Sequence, residues 1–133
     1  MRYLPLLLTL LLCTCAPAPP EASPTTDSPA TEPAAPFQDL EPIDFAERMG
    51  EPNTILLDVR TPAEIAKGKI EGAVELNFRD PDFAARIREL DTTKTYLVYC
   101  ASGGRSSRSC EIMANAGFAK LYNLKGGYSA WSQ

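Results

Sequence analysis

The sequence predicts an α/β domain, a parallel sheet covered by helices on both faces, and three observations predict it. From residue 55 onward, short apolar runs rich in β-prone residues alternate with stretches that open on helix-start signals. Such alternation indicates parallel strands joined by helical crossovers. The most β-prone run is followed at once by a Gly- and Ser-rich loop and then by a long helical stretch. No internal repeat is present.

Ile55-Leu56-Leu57-Asp58-Val59 suits a buried strand. Thr61-Pro62-Ala63-Glu64 then supplies an N-cap, a proline at the first helical position and a capping-box glutamate, for a short helix that stops at Gly68. Ala73 to Leu76 reads as a second strand. Asp80-Pro81 opens a helix whose Phe83, Ile87 and Leu90 share a face. Tyr96 to Tyr99 is the next strand, Arg105 to Ala116 the next helix, and Gly117 is placed to end it. Leu121 to Leu124 is a further strand, and Gly126-Gly127 breaks it before a short closing helix in which Trp131 is a core anchor. Glu41, Asp44, Glu47 and Glu51 form a solvated face and not a metal site.

Two zones precede this domain, which is read as residues 37–133. Met1 to Cys15 is an export signal: Arg2 gives a positive start, and Leu4 to Leu12 is far shorter than the ~20 apolar residues that span a bilayer. Its ending, Leu12-Cys13-Thr14-Cys15, looks like a bacterial lipobox, with Cys15 the better lipid acceptor because small Thr14 precedes it. Ala16 to Pro36 holds seven of the chain's twelve prolines and no Gly, Lys, Arg or aromatic residue, so it cannot bury apolar surface. It is read as a linker, a stalk reaching about 60 Å if polyproline-like, or simply a disordered tail. The expected location is an exported chain, lipid-anchored to a bacterial membrane and facing the periplasm. Ala16 after the lipid cysteine weighs toward the outer membrane.

Composition excludes several chemistries. A formal net charge of −4 leaves no basic footprint for a nucleic acid. The chain has no histidine, which removes Ser-His and Cys-His dyads and argues against catalytic zinc. Nothing in the sequence calls for a metal or another cofactor. Any nucleophile must be activated by backbone, charge or helix dipole. The four cysteines, at 13, 15, 100 and 110, are not a disulfide framework.

The candidate nucleophile is Cys100, in the loop Cys100-Ala101-Ser102-Gly103-Gly104-Arg105-Ser106. Ligands of open parallel sheets bind beyond the carboxyl ends of the strands, where this loop lies. Its glycines let the backbone curl and turn several N–H groups toward one point, and the helix that follows adds its positive end there. Arg105 adds a full charge. A thiol in that concavity is expected to be acidified into a resting thiolate, below its ordinary ~8.5. Cys110 shares a helix face with Ser106, Met113 and Gly117 and is assigned to packing, its rival role being a resolving thiol for Cys100. Asp58, at a strand end on the same rim, is read beside its neighbour Arg60 as a structural ion pair or a hydrogen-bonded carboxylate rather than as a catalytic acid.

With these residues in view, the chain resembles the single-domain rhodaneses. The Cys-x-x-Gly-x-Arg-Ser loop at 100–106 is similar to their active-site loop, and Asp58 to Glu64 to their Asp-Val-Arg-x-x-x-Glu signature. Gly68 to Ala73 resembles Gly-His-Ile-x-Gly-Ala, and Gly126 to Trp131 resembles the terminal Gly-Gly-x-x-x-Trp. The resemblance implies a five-stranded parallel sheet and a cysteine that carries sulfur as a persulfide, held by Ala101 to Ser106. It implies a small sulfur-containing donor (thiosulfate, polysulfide or persulfide) and a thiol or cyanide-like acceptor.

Three departures refine that expectation. Lys69 stands where the family usually has histidine, in a structural turn. Ala101 and Ser102 stand where the best thiosulfate users carry basic residues, so a dianion should be attracted weakly. Only four residues separate Cys100 from Arg105, against five in related phosphatases, and the tighter ring fits one sulfur atom better than a phosphoryl group. The alternative to turnover is a persulfide carrier or binding module serving a membrane-associated protein partner. A weaker alternative is a redox switch through Cys100 and Cys110.

Overall fold

The computed structural model describes residues 35–132. The segments expected to form an export signal at 1–15, with Cys15 as the expected lipid acceptor, and nearly all of the expected linker at 16–36 lie outside them. The elements are β1 (Gln38–Leu40), α1 (Pro42–Met49), β2 (Thr54–Asp58), α2 (Pro62–Ile65), β3 (Val74–Glu75), α3 (Phe83–Arg88), β4 (Thr95–Tyr99), α4 (Gly104–Asn115), β5 (Leu121–Leu124) and α5 (Gly127–Trp131). All five strands are parallel, in the order β1-β5-β4-β2-β3.

The period of two along the strands divides the core. Tyr96, Val98 and Cys100 continue one face of β4 and pack with Leu57, Val59, Phe83, Ile87, Cys110 and Met113, beneath α3 and α4. Leu97 and Tyr99 point to the other face and pack with Phe45, Leu56 and Leu124, where Trp131 of α5 meets Phe45 edge-on. Because helices cover both faces, β4 is apolar on both, which is why it reads as an unbroken run.

Three local details differ from the sequence expectations. β1 and α1 were not expected as elements: β1 is only three residues long, and the only fully buried residue of α1 is Phe45. The strand expected over 73–76 is reduced to Val74–Glu75 at the sheet edge, half-exposed at Val74. The helix expected from Asp80-Pro81 starts at Phe83, because Asp80 is drawn into the preceding turn: its carboxylate accepts from Asn77 Nδ2 at 2.8 Å and its carbonyl from the Phe83 N–H at 3.1 Å.

The topology places the site. From β2 the chain moves outward to β3, whereas from β4 it moves the opposite way to β5. The reversal lies between the carboxyl ends of β2 and β4, where the crossovers separate and leave a crevice. Asp58 ends β2 directly beside Tyr99, which ends β4 one residue before Cys100.

Candidate active site

The loop after β4 and the first turn of α4 are built around the Cys100 sulfur. Gly103, at φ 100, is the N-cap of α4 and has no capping side chain. The sulfur takes that place. Its Sγ accepts the Gly103 N–H at 3.1 Å and lies 3.4 Å from the Ser106 hydroxyl, much as a capping oxygen accepts from the third helical residue. The Ser106 hydroxyl also stands 3.1 Å from the Gly103 carbonyl. Its single proton serves one acceptor at a time, so it turns toward sulfur when sulfur is charged.

Cys100 is only 1% exposed. Burial by itself pushes the thiol up. The Ser106 hydroxyl and N–H, with the N–H groups of Ser102 and Gly103, outweigh burial and hold it below its ordinary value. The activation therefore comes from loop hydrogen bonds and the end of a twelve-residue helix.

Arg105 is placed differently from the expectation that its charge is free for the loop concavity. Its guanidinium is closed on Glu64, Nη1 to Oε2 at 2.9 Å and Nη2 to Oε1 at 2.6 Å. Glu64 also completes its capping box, accepting from the Thr61 N–H at 3.0 Å and hydroxyl at 2.7 Å. The guanidinium, then burial acting against it, then the Thr61 groups set the Glu64 carboxyl far below the usual carboxylate range. The cap signal accounted for Glu64 completely in the sequence, and its second role across 41 residues left no local trace.

Asp58 and Arg60 form the expected structural pair, fully buried and 2.7 Å apart at the shortest contact. The carboxylate also accepts the Arg60 N–H at 3.0 Å. Arg60 stacks 4.2 Å from the centre of the Tyr128 ring and donates to the Gly68 carbonyl at 2.9 Å. Lys69, in the turn, pairs with Glu75 at the surface.

The floor of the loop comes from α5. The Tyr128 N–H donates to the Cys100 carbonyl at 2.7 Å, and the Ser129 N–H to the Ala101 carbonyl at 3.0 Å. Gly127, at φ 60, presses so closely that a Cβ there would lie 2.6 Å from the Cys100 oxygen, the Ala101 carbonyl carbon and the Ser102 nitrogen. With the loop carbonyls tied downward to α5, their N–H groups are free to face the sulfur. The adjacent glycines at 126 and 127 signalled a break in the chain but not what approaches it.

Among the loop residues assigned from sequence, Gly103 and Ser106 are buried against the sulfur, Ser102 and Gly104 are exposed, and Ala101 is half-buried. Cys110 lies one turn beyond Ser106 on the same face of α4, fully buried, with its thiol pushed up to about 12 by burial and then by the charges of Asp39 and Glu111.

The family of rhodanese-like domains matches residues 41–133. A sulfurtransferase of Allochromatium vinosum is 34% identical over 90 residues, covering 67% of this chain and 82% of the relative. A tRNA uridine(34) hydroxylase of Nitrobacter winogradskyi is 37% identical over 108 residues, but this chain spans only 42% of its length. Among solved structures, a rhodanese-related protein of Thermoplasma volcanium superposes with a TM-score of 0.63 at 25% identity, covering 71% of this chain and 90% of that one.

Proposed function

This chain belongs to the rhodanese-like domain family, and from that premise we propose that it is a sulfurtransferase working through a persulfide on Cys100. The observation that carries the reading is the cradle of the sulfur. A nearly enclosed thiol is held below its ordinary value by a hydroxyl and loop N–H groups. The sulfurtransferase of Allochromatium vinosum, similar over most of the domain, supports the same chemistry.

In the proposed cycle the Cys100 thiolate attacks the outer sulfur of a donor. The donor's S–S bond breaks, its electron pair leaves with the donor remnant, and a new S–S bond forms on Cys100. An acceptor thiolate then attacks that outer sulfur and the Cys100 thiolate departs with the electron pair of the bond that breaks. No net oxidation occurs across the two steps. The loop N–H groups stabilise negative charge on sulfur in both resting states, the thiolate and the persulfide. The proposal includes export and a lipid tether at Cys15, for which the Leu12-Cys13-Thr14-Cys15 ending is the support.

Steady-state sulfur transfer by the full chain, with thiosulfate and with a polysulfide, tests the cycle. Turnover should vanish in Cys100→Ser, and retained turnover in that variant would sink the scheme. Mass spectrometry of the chain isolated from its own cell should show one added sulfur atom on Cys100 and a lipid on Cys15. A folded chain without turnover but with that added sulfur would instead favour a carrier that hands sulfur to a protein partner.

A further inference from the structure

We propose that Glu64 sets the charge a sulfur donor meets at Cys100, by holding Arg105 in a neutral pair, and so selects weakly charged terminal sulfurs over dianions. This assignment rests on sulfur transfer at Cys100 and names the donor class for it: alkyl persulfides rather than dianions such as thiosulfate.

Arg105 is the second residue of α4, between the Gly103 N–H and the Ser106 hydroxyl that hold the sulfur. Both arms of its guanidinium go to the two oxygens of Glu64, a bidentate geometry that fixes the whole group. Glu64 cannot easily follow a ligand, because the Thr61 N–H and hydroxyl hold the same carboxylate at the start of α2. The pair is only partly exposed, at 20% for Arg105 and 33% for Glu64.

The other guanidinium beside the loop is in the same condition, since Arg60 is closed on buried Asp58. Both carboxylates come from the segment running from the end of β2 into α2, and both arginines are neutralised by it. Ala101 and Ser102 add no charge. Arg108, one turn further along α4, is exposed. The sulfur thus faces hydrogen-bond donors, and the two guanidiniums beside its loop are each closed on a carboxylate. A dianion must draw Arg105 off Glu64 to be neutralised, whereas the terminal sulfur of an alkyl persulfide needs only the N–H groups.

Two alkylating agents of similar size read this charge directly: iodoacetate, an anion, and iodoacetamide, which is neutral. Their rates on Cys100 of the full chain, measured at the Cys100 peptide by mass spectrometry, give a ratio that cancels thiol reactivity. Glu64→Gln keeps the capping hydrogen bonds and should raise the iodoacetate-to-iodoacetamide ratio about three- to tenfold, as expected for one charge unmasked within several ångströms. High salt should shrink the gain. Arg105→Gln alone should lower the ratio, and the double variant should return it to the wild-type value. A purely structural effect of Glu64→Gln would not be reversed by Arg105→Gln. An unchanged ratio in both single variants overturns the assignment.

In steady state, Glu64→Gln should lower KM for thiosulfate relative to an alkyl persulfide. The alkylation ratio is read whether or not any donor turns over. Absent turnover with the predicted ratios therefore counts against sulfur transfer, and turnover with unchanged ratios counts against Glu64.

Discussion

Cys100 and Cys110 share one apolar cluster at 1% and 0% exposure, one at the mouth of α4 and the other within it, yet their thiols are shifted in opposite directions. The Cys100 thiol is held down by Ser106, Ser102 and Gly103 against its own burial. The Cys110 thiol, for which no compensating donor acts, is pushed up to about 12. Burial by itself therefore does not decide which way a cysteine thiol is shifted. What separates the two is the supply of N–H and O–H groups, and only the open end of a helix offers N–H groups that no helical carbonyl has taken.

The largest way to break the contrast is to distort the loop from below. Gly127→Ala forces a Cβ to within 2.6 Å of three loop backbone atoms at a positive φ. The expected cost is about 2–4 kcal/mol of stability, combining overpacking with backbone strain. Thermal unfolding should show a midpoint about 10–20 °C lower, with most sulfur transfer lost. A wild-type melting curve would mean that α5 does not shape the loop.

Removing one donor sharpens the contrast at lower cost. Ser106→Ala deletes the hydroxyl at 3.4 Å from Sγ. The Cys100 thiol should then titrate higher, toward the behaviour of Cys110, and alkylation at neutral pH should slow about three- to tenfold. The pH profile of iodoacetamide reaction at Cys100 measures this. A superimposable profile would leave the backbone N–H groups as the whole cause.

The smallest effect lies at alkaline pH. The unfolded chain ionises Cys110 near its ordinary 9.0, while the folded chain keeps it neutral until about 12. Stability from this group is fully present below pH 9 and declines as pH rises toward 12, by about 1 kcal/mol at pH 10. Cys110→Ala should cost about 1–2 kcal/mol at pH 7 by cavity formation and should flatten that alkaline decline. Urea unfolding at pH 7 and pH 10 gives both numbers, and an unchanged alkaline slope would place the titration on another group.

The features legible in the sequence are those that act over a few residues. The capping box at Thr61 to Glu64 is present as expected, because N-cap and N3 residues meet within one turn whatever surrounds them. The order of strands and helices from β2 to α5 follows from runs long enough to bury a strand or a helix face. β1 leaves no local signal because three residues, none of them fully buried, carry no period. Their place is given by pairing with β5, more than 80 residues away.

At the site the same division holds. Sequence by itself determined that Cys100 sits in a glycine-rich turn at a helix N-terminus, because the residues that make the turn are its immediate neighbours. Only the tertiary structure decided that Arg105 is neutralised by Glu64 and that Gly127 presses on the loop floor. Those contacts join residues tens of positions apart, brought together by a parallel sheet whose topology reverses between β2 and β4. A charge in the sequence is a formal charge. Whether a ligand meets it depends on which opposite charge the fold brings alongside.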